Sequence, residues 1–223
     1  MKRLETLKYL LVTSGMTKPL ILILREVLRR IYSFETASIL KFDLTEPFEI
    51  PTPLIPTSIR ELQNKDDNFI LSLNEPEIDI NELRTRIERF LLIKAQIPTC
   101  YVAANSNDEP CAICWLIDHT SNNVLKRHYN GGIFKLRENE VLCEGIYIHS
   151  AYRKMKLMQY LTFELFQMAS NNGAKSAFAF VDNRNILSLK GSKSIGWKKV
   201  GVKKVKWLLF NRSITFKMIN SWK

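Results

Sequence analysis

The sequence predicts an α+β (α/β) domain in which a twisted, mostly antiparallel sheet is flanked by helices and preceded by an N-terminal helix and strand. Three observations carry this expectation. Two apolar runs at 98–104 and 110–118 are joined by Asn105-Ser106-Asn107-Asp108, which is turn chemistry for an antiparallel hairpin. An apolar strand at 141–149 passes, after Arg153, into a helical stripe of Leu157, Leu161, Leu165 and Met168, stopped by Asn171-Asn172-Gly173 and followed by a strand at 175–181. Finally, 223 residues with 46% hydrophobic side chains, 8 Gly and 8 Pro suit one core of ordinary size and exclude a disordered, collagen-like or disulfide-stapled chain.

The remaining elements follow in order. Residues 18–32 read as a helix with Leu20, Leu24, Leu28 and Ile31 on one stripe and Arg25, Glu26 and Arg29 elsewhere on the wheel. Such a basic amphipathic helix is expected to pack its stripe on the domain; the alternative is a membrane surface. A strand at 37–43 is followed by Pro47, Pro51, Pro53 and Pro56, which forbid regular structure, so the chain divides into an extension (1–45), a linker (46–56) and a main domain (57–223). Within that domain a short strand at 58–62 and a short helix at 66–73 come first. Asp79, three residues before Glu82, resembles a capping box opening a helix with Leu83, Ile87, Phe90 and Leu91 on its apolar face. The polar stretch 119–138 is expected to be loop, with a turn at Asn130-Gly131-Gly132. A short helix at 185–194 and strands at 197–209 and 213–219 complete the reading.

Charge is unevenly distributed. The net charge is +11, and residues 183–223 hold eleven basic side chains and no acidic one. This segment is a candidate site for an anionic partner, with lysines guarding a strand edge as the structural alternative. The four cysteines lie in apolar strands and read as buried thiols of a cytoplasmic protein. Cys111 and Cys114 have a redox-like spacing, yet strand alternation puts them on opposite faces, so neither redox chemistry nor a metal is expected. Charges interrupt every apolar run near the start, so no transmembrane segment or secretory signal is expected either.

One segment has the makings of an anion site. Ala151-Tyr152-Arg153-Lys154-Met155-Lys156 runs from a strand into a helix, whose first turn offers free N–H groups and the positive dipole end beside three cations. A pyrophosphate would suit it; a plain helix entry with solvated charges is the alternative. The order of elements, with Asn185 and Ser188 spaced Asn-x-x-Ser and then Gly196-Trp197, resembles the GNAT N-acetyltransferase superfamily over roughly residues 57–218. A weaker likeness is to GNAT proteins of surface-polysaccharide gene clusters. Arg153 matches the family's Arg/Gln cradle position, and Gly196-Trp197 its Gly-aromatic pair. Lys156 and Met158 stand where the family has cradle glycines, and Ser192 where it has a tyrosine acid.

The resemblance implies a central parallel strand pair that splays apart, here 141–149 from 175–181. It also implies acetyl-CoA, or another acyl-CoA, as co-substrate, held by Tyr147, Ile148, Arg153, Lys154, Met155, Lys156, Leu157, Met158, Asn185 and Ser188. A primary amine on a small molecule or amino sugar would attack the thioester directly. Glu144, inside an apolar strand where burial raises a carboxyl pKa, is the candidate base, on one face with Leu142, Ile146 and Ile148. Tyr147 and His149, on the opposite face, are candidate acids; Ser192 is a poor one. Ile148 N–H is the oxyanion donor by resemblance. Asp118 and His119 either border the acceptor pocket or are solvated loop. The reading from another class is a non-catalytic GNAT-like fold, or an RNA-dependent aminoacyl transferase, binding nucleic acid through the basic C-terminal segment.

Overall fold

The computed structural model describes residues 17–66, Phe69 and 80–219. The expected helix over 66–73 and the Asp79–Glu82 cap fall largely outside these residues. Eight strands form one sheet: β1 (Tyr32–Asp43), β2 (Thr57–Glu61), β3 (Cys100–Asn105), β4 (Pro110–Asp118), β5 (Glu140–Ile148), β6 (Ser176–Asp182), β7 (Lys198–Leu208) and β8 (Asn211–Met218). Their order is β2-β3-β4-β5-β6-β1-β7-β8, and all pairs are antiparallel except β5–β6. Among the described residues five helices accompany them: α1 (Thr17–Ile31), α2 (Ile80–Lys94), α3 (Asn122–Tyr129), α4 (Leu157–Asn171) and α5 (Ile186–Ser194).

The N-terminal strand is not an appendage. Hydrophobic β1 lies between β6 and β7, pairs with β6 over Ala37–Asp43 and with β7 over Tyr32–Lys41, and buries Ile39 and Leu40, so the sheet is incomplete without it. Its central place follows from its sequence, since Ala37-Ser38-Ile39-Leu40 offers apolar or small side chains to both faces. For the same reason β7 is interior and β8 forms the edge, so the lysines of β7 do not guard a free strand. The 46–56 segment is irregular as expected, tied down where Leu54 N–H donates to the Met155 carbonyl at 3.1 Å.

Two cores cover the two faces. On one, α4 presses Leu157, Leu161, Leu165, Phe166 and Ala169 against Ala112, Cys114, Leu116, Val141 and Ala177. On the other, Ile39, Val102, Ile113, Trp115, Leu142 and Phe178 meet Leu92 of α2 and Leu125 of α3. Helix α3 replaces part of the expected polar loop. Only Leu125 is fully buried in it, too weak a stripe to register in sequence, and Asn130 ends it in the left-handed conformation. Along α2 the buried face holds Arg86, Ile87, Arg89 and Leu92, so two arginines share the apolar side.

Two bulges break the alternation read from sequence. Cys111 is the extra residue opposite the Ala103–Ala104 step, and it packs in the same core as Cys114 rather than across the sheet from it. In β5, Glu144 pairs with Trp115 and Tyr147 with Ile113, leaving Gly145 and Ile146 together opposite Cys114. Gly145 has φ +65° there, and a Cβ on it would lie 2.9 Å from Trp115 Cε3 and 3.2 Å from Leu92 Cδ1. Any side chain therefore adds both steric overlap and left-handed strain. Gly145→Ala is expected to destabilise the protein by about 2–3 kcal/mol in equilibrium urea unfolding.

Candidate active site

The β5–β6 ladder is short. It comprises Glu140–Ser176, Val141–Ala177 and Leu142–Phe178 and then ends, while β5 continues along β4 and β6 along β1. Residues 143–148 and 179–182 thus border a wedge-shaped opening in the middle of the sheet, the splay that the resemblance implies. A cavity of about 190 Å³ lies on the α2–α3 side, bordered by Glu35, Thr36, Tyr129, Glu144, Asp182 and Lys203 among others. Another, of about 250 Å³, lies on the α4 side against Ile148, Tyr152, Arg153, Lys154, Lys156 and the first turn of α4. A further depression, about 980 Å³, is an open groove around His119, Asn122, Arg137 and Lys175 near the start of β5, away from the splay.

Glu144 opens into the first cavity. The bulge at Gly145 sets its neighbours: Tyr147, not Ile148, shares its side of the sheet, and Ile148 packs with the α4 core. The expected grouping of Glu144 with Ile148, opposite Tyr147, is thereby corrected, because the extra residue shifts the two-residue period by one. Burial pushes the Glu144 carboxyl up to about 7, and the Glu88 charge adds to this; Lys203 across the cavity and the Gly145 N–H oppose it. Burial in turn lowers the Lys203 ammonium, and Glu144 counters that; the Lys203 Nζ also stands 5.2 Å from the Phe180 ring centroid. Tyr129, from the unexpected helix, completes the enclosure, and burial holds its phenol well above the usual range.

The two acid candidates on β5 have structural partners. The Arg89 guanidinium lies 4.0 Å from the Tyr147 ring centroid, and Phe69 packs on the same ring. His149 ends β5, where its Nδ1 accepts the Ala151 N–H at 3.3 Å and caps the turn Ser150–Tyr152. Its ring lies between Phe69 and Tyr152. Asp118 likewise caps a turn, accepting the Thr120 N–H at 3.0 Å, which favours the loop reading for Asp118 and His119.

The second cavity lies at the segment that the sequence offers as a candidate anion site. Helix α4 begins without a side-chain cap, its first intrahelical bond running from Tyr160 N–H to Lys156 O at 3.0 Å. The N–H groups of Leu157, Met158 and Gln159 therefore precede the helix ladder at the cavity wall. Lys156 occupies a family glycine position and has φ +58°, so the left-handed backbone that glycine adopts freely is retained with a lysine in place; Lys154 has φ +68°. Met158, at the other glycine position, packs under α5, where a Cβ on Gly191 would lie 3.0 Å from its Cε. Met155 is partly buried against the α4 core.

Asn185 and Ser188 are joined locally, the Ser188 N–H donating to Asn185 Oδ1 at 3.1 Å as the N-cap of α5. Ser192 is at the far end of α5, where its carbonyl accepts from Ile195 and Trp197, and it borders neither cavity. Lys203, Tyr129 and Tyr152 are site residues that the sequence reading missed. A signal existed for Lys203: in alternation with Lys204 and Lys206 it shares a face with Val205, the buried side of β7.

A mixed sheet with one splayed parallel pair, a bulged central strand and a helix following it is the architecture of the GCN5-related N-acetyltransferase fold, and the chain has that fold. Its likeness extends to a Drosophila protein (TM-score 0.52, 14% identity, 86% of this chain and 58% of that one). It also includes a GCN5-related glucosamine N-acetyltransferase region of a fungal multi-domain GH3 β-N-acetylglucosaminidase (0.55, 10%, 87% and 23%). A GCN5-related N-acetyltransferase from Sphaerobacter thermophilus is similar as well (0.50, 13%, 89% and 58%). The chain thus spans less than two thirds of each of these three chains. No protein-family model and no curated protein matches the sequence.

The raised Glu144 pKa has a consequence for stability. A carboxyl whose folded pKa exceeds its unfolded value costs nothing below pH 4.5 and penalises the fold increasingly as pH rises through about 7. That penalty is on the order of 3 kcal/mol above pH 8. Glu144→Gln is therefore expected to stabilise the protein at pH 8 and leave stability at pH 4 nearly unchanged, as read by urea denaturation at both values.

Proposed function

We propose that the chain is an acyl-CoA-dependent N-acyltransferase that moves an acetyl group to a primary amine of a small molecule or amino sugar. The observation carrying this reading is Glu144, a carboxyl with pKa near 7 at the splay between the two cavities. A group so poised is ionised enough at neutral pH to accept a proton from an ammonium and acidic enough to release it.

The cradle residues fit the co-substrate's pyrophosphate. Arg153, Lys154 and Lys156 supply charge, and the N–H groups of Leu157, Met158 and Gln159 supply donors aligned with the helix dipole. Acetyl-CoA supplies the activated acyl thioester. On the opposite side of the splay, Glu144 removes the proton from the acceptor's ammonium, leaving a neutral amine whose lone pair attacks the thioester carbonyl. The Ile148 N–H stabilises the charge developing on that carbonyl oxygen. As the adduct collapses the C–S bond breaks, and the departing thiolate gains, through water, the proton that the newly acylated nitrogen gives up, since a thiol pKa near 8.5 makes enzymatic protonation only modestly valuable. Glu35 and Asp182 also border the acceptor cavity, paired there with Arg29 and Arg184. Four free thiols fit a reducing, cytoplasmic setting.

Calorimetry with acetyl-CoA, with CoA as control, tests the reading. Micromolar binding is expected, weakened about a hundredfold in Arg153→Ala with Lys156→Ala, as befits two charge-assisted contacts. No binding at millimolar acetyl-CoA contradicts the assignment. With an accepted amine, Glu144→Gln is expected to lower turnover by about 10²–10⁴-fold at unchanged acetyl-CoA affinity, and the wild-type rate is expected to rise with pH through about 7.

A further inference from the structure

Helix α1 sits on the sheet the wrong way round for a soluble amphipathic helix. Its polar side faces the protein: Glu26 accepts from Arg29 Nε at 2.8 Å and Arg30 Nε at 2.9 Å, and both guanidinium groups lie over Trp207, 5.5 and 5.4 Å from its ring centroid. Arg29 also pairs with Glu35 at 3.4 Å. The stripe expected to pack on the domain points outward instead, with Leu20 68%, Leu24 59% and Leu28 55% exposed, and Ile23, Val27 and Ile31 exposed beside them. The inversion has a physical cause. The sheet here offers Glu35 and the Trp207 face, which arginines satisfy better than leucines do.

The surface continues past the helix. The β7–β8 turn closes on its C-terminal end, Leu209 N–H donating to Ile31 O and Phe210 N–H to Arg30 O, each at 2.8 Å. Leu209 and Phe210 occupy the two central positions of a two-residue hairpin loop with φ +47° and +66°, positions that favour Asn-Gly, and both are exposed. Holding bulky side chains in that conformation costs about 1 kcal/mol each, and both remain more than half exposed. Two independent features, an outward stripe and a strained apolar turn, thus converge on one surface.

We propose that this surface, α1 with the Leu208–Phe210 turn, docks on an anionic lipid bilayer as a peripheral membrane contact. Charge selects the occupant. The single acid of the helix is neutralised by two arginines, Arg25 is exposed on the same helix, Lys204 and Lys206 are exposed on the other face of β7, and residues 183–223 contain no acid. An apolar stripe on a helix whose one acid is neutralised, in a strongly basic region of the chain, matches anionic headgroups over acyl chains. A second copy of this chain would bring together two molecules, each of net charge +11. No helix among the described residues is long and apolar enough to cross a membrane, so the contact is interfacial.

Co-sedimentation of the full chain with vesicles tests this. Binding is expected to phosphatidylcholine vesicles containing phosphatidylglycerol, to weaken about tenfold or more in their absence, and to weaken with added salt. Leu24→Glu with Leu28→Glu is expected to abolish it. Leu209→Asn with Phe210→Gly is expected to reduce it by about tenfold while preserving or raising the melting temperature, since the new pair suits the turn. Sedimentation velocity completes the test. Absence of vesicle binding, with a wild-type dimer that Leu24→Glu and Leu28→Glu dissociate, would overturn the proposal in favour of a second copy. Absence of binding by a monomer whose melting temperature falls on the same substitutions would overturn it in favour of cover by this chain's own residues 1–16.

Discussion

The early end of the β5–β6 ladder is the constraint on which the site depends. After Leu142 and Phe178 neither strand lacks a partner, because β4 holds β5 and β1 holds β6, but they no longer hold each other. The Gly145 bulge gives a local reason. One extra residue bends β5 and increases its twist, which carries it away from β6 while the outer ladders stay closed. An opening results in the middle of a sheet that is otherwise continuous, with no loop required to form it. Trp115, filling the space under Gly145, fixes where the bend falls.

That bend also determines the electrostatics. A carboxyl in a regular apolar strand has the choice of two faces, one covered by α4 and the other by α2 and α3. The bulge leaves Glu144 on the α2–α3 side, in a cavity it shares with Tyr129 and Phe180, where the Lys203 charge partly compensates its burial. The proposed phosphate cradle is on the other side, at the start of α4. The proton-accepting group and the anion cradle therefore approach the splay from opposite faces of the sheet. The lysine at the cradle's glycine position is compatible with this arrangement because it keeps the left-handed backbone and directs its charge at the same cavity.

Much of the architecture was legible in sequence because period and punctuation agree: the 100–118 hairpin, the α4 stripe and its Asn-Gly stop, and the short helix capped by Asn185 all lie within a residue or two of their expected places. Glu144 was legible as a carboxyl within an apolar strand, and the cradle as basic residues at a helix entry. Its face was not, since a two-residue period carries no sign of a bulge except one glycine, and Gly145 has the same letter as a glycine in a turn. The place of β1 was invisible for another reason: proline spacing marks where regular structure stops but not where the preceding strand inserts. Helix α1 shows the same limit. Its stripe was plain, but which side faces the protein depends on Trp207 and Glu35, brought to it by a sheet that sequence periodicity alone does not order.

The ionisation of Glu144 tests this account most directly. In protein labelled with ¹³C at the glutamate side-chain carboxyl and titrated from acid to alkaline pH, the resonance missing from Glu144→Gln identifies the group. A midpoint near 7 is the result the account predicts, for a carboxyl enclosed at the splay by the Gly145 bulge. A midpoint near 4.5, the value of a solvated glutamate, would contradict it, because Glu144 would then be in water and have no elevated proton affinity with which to serve as base.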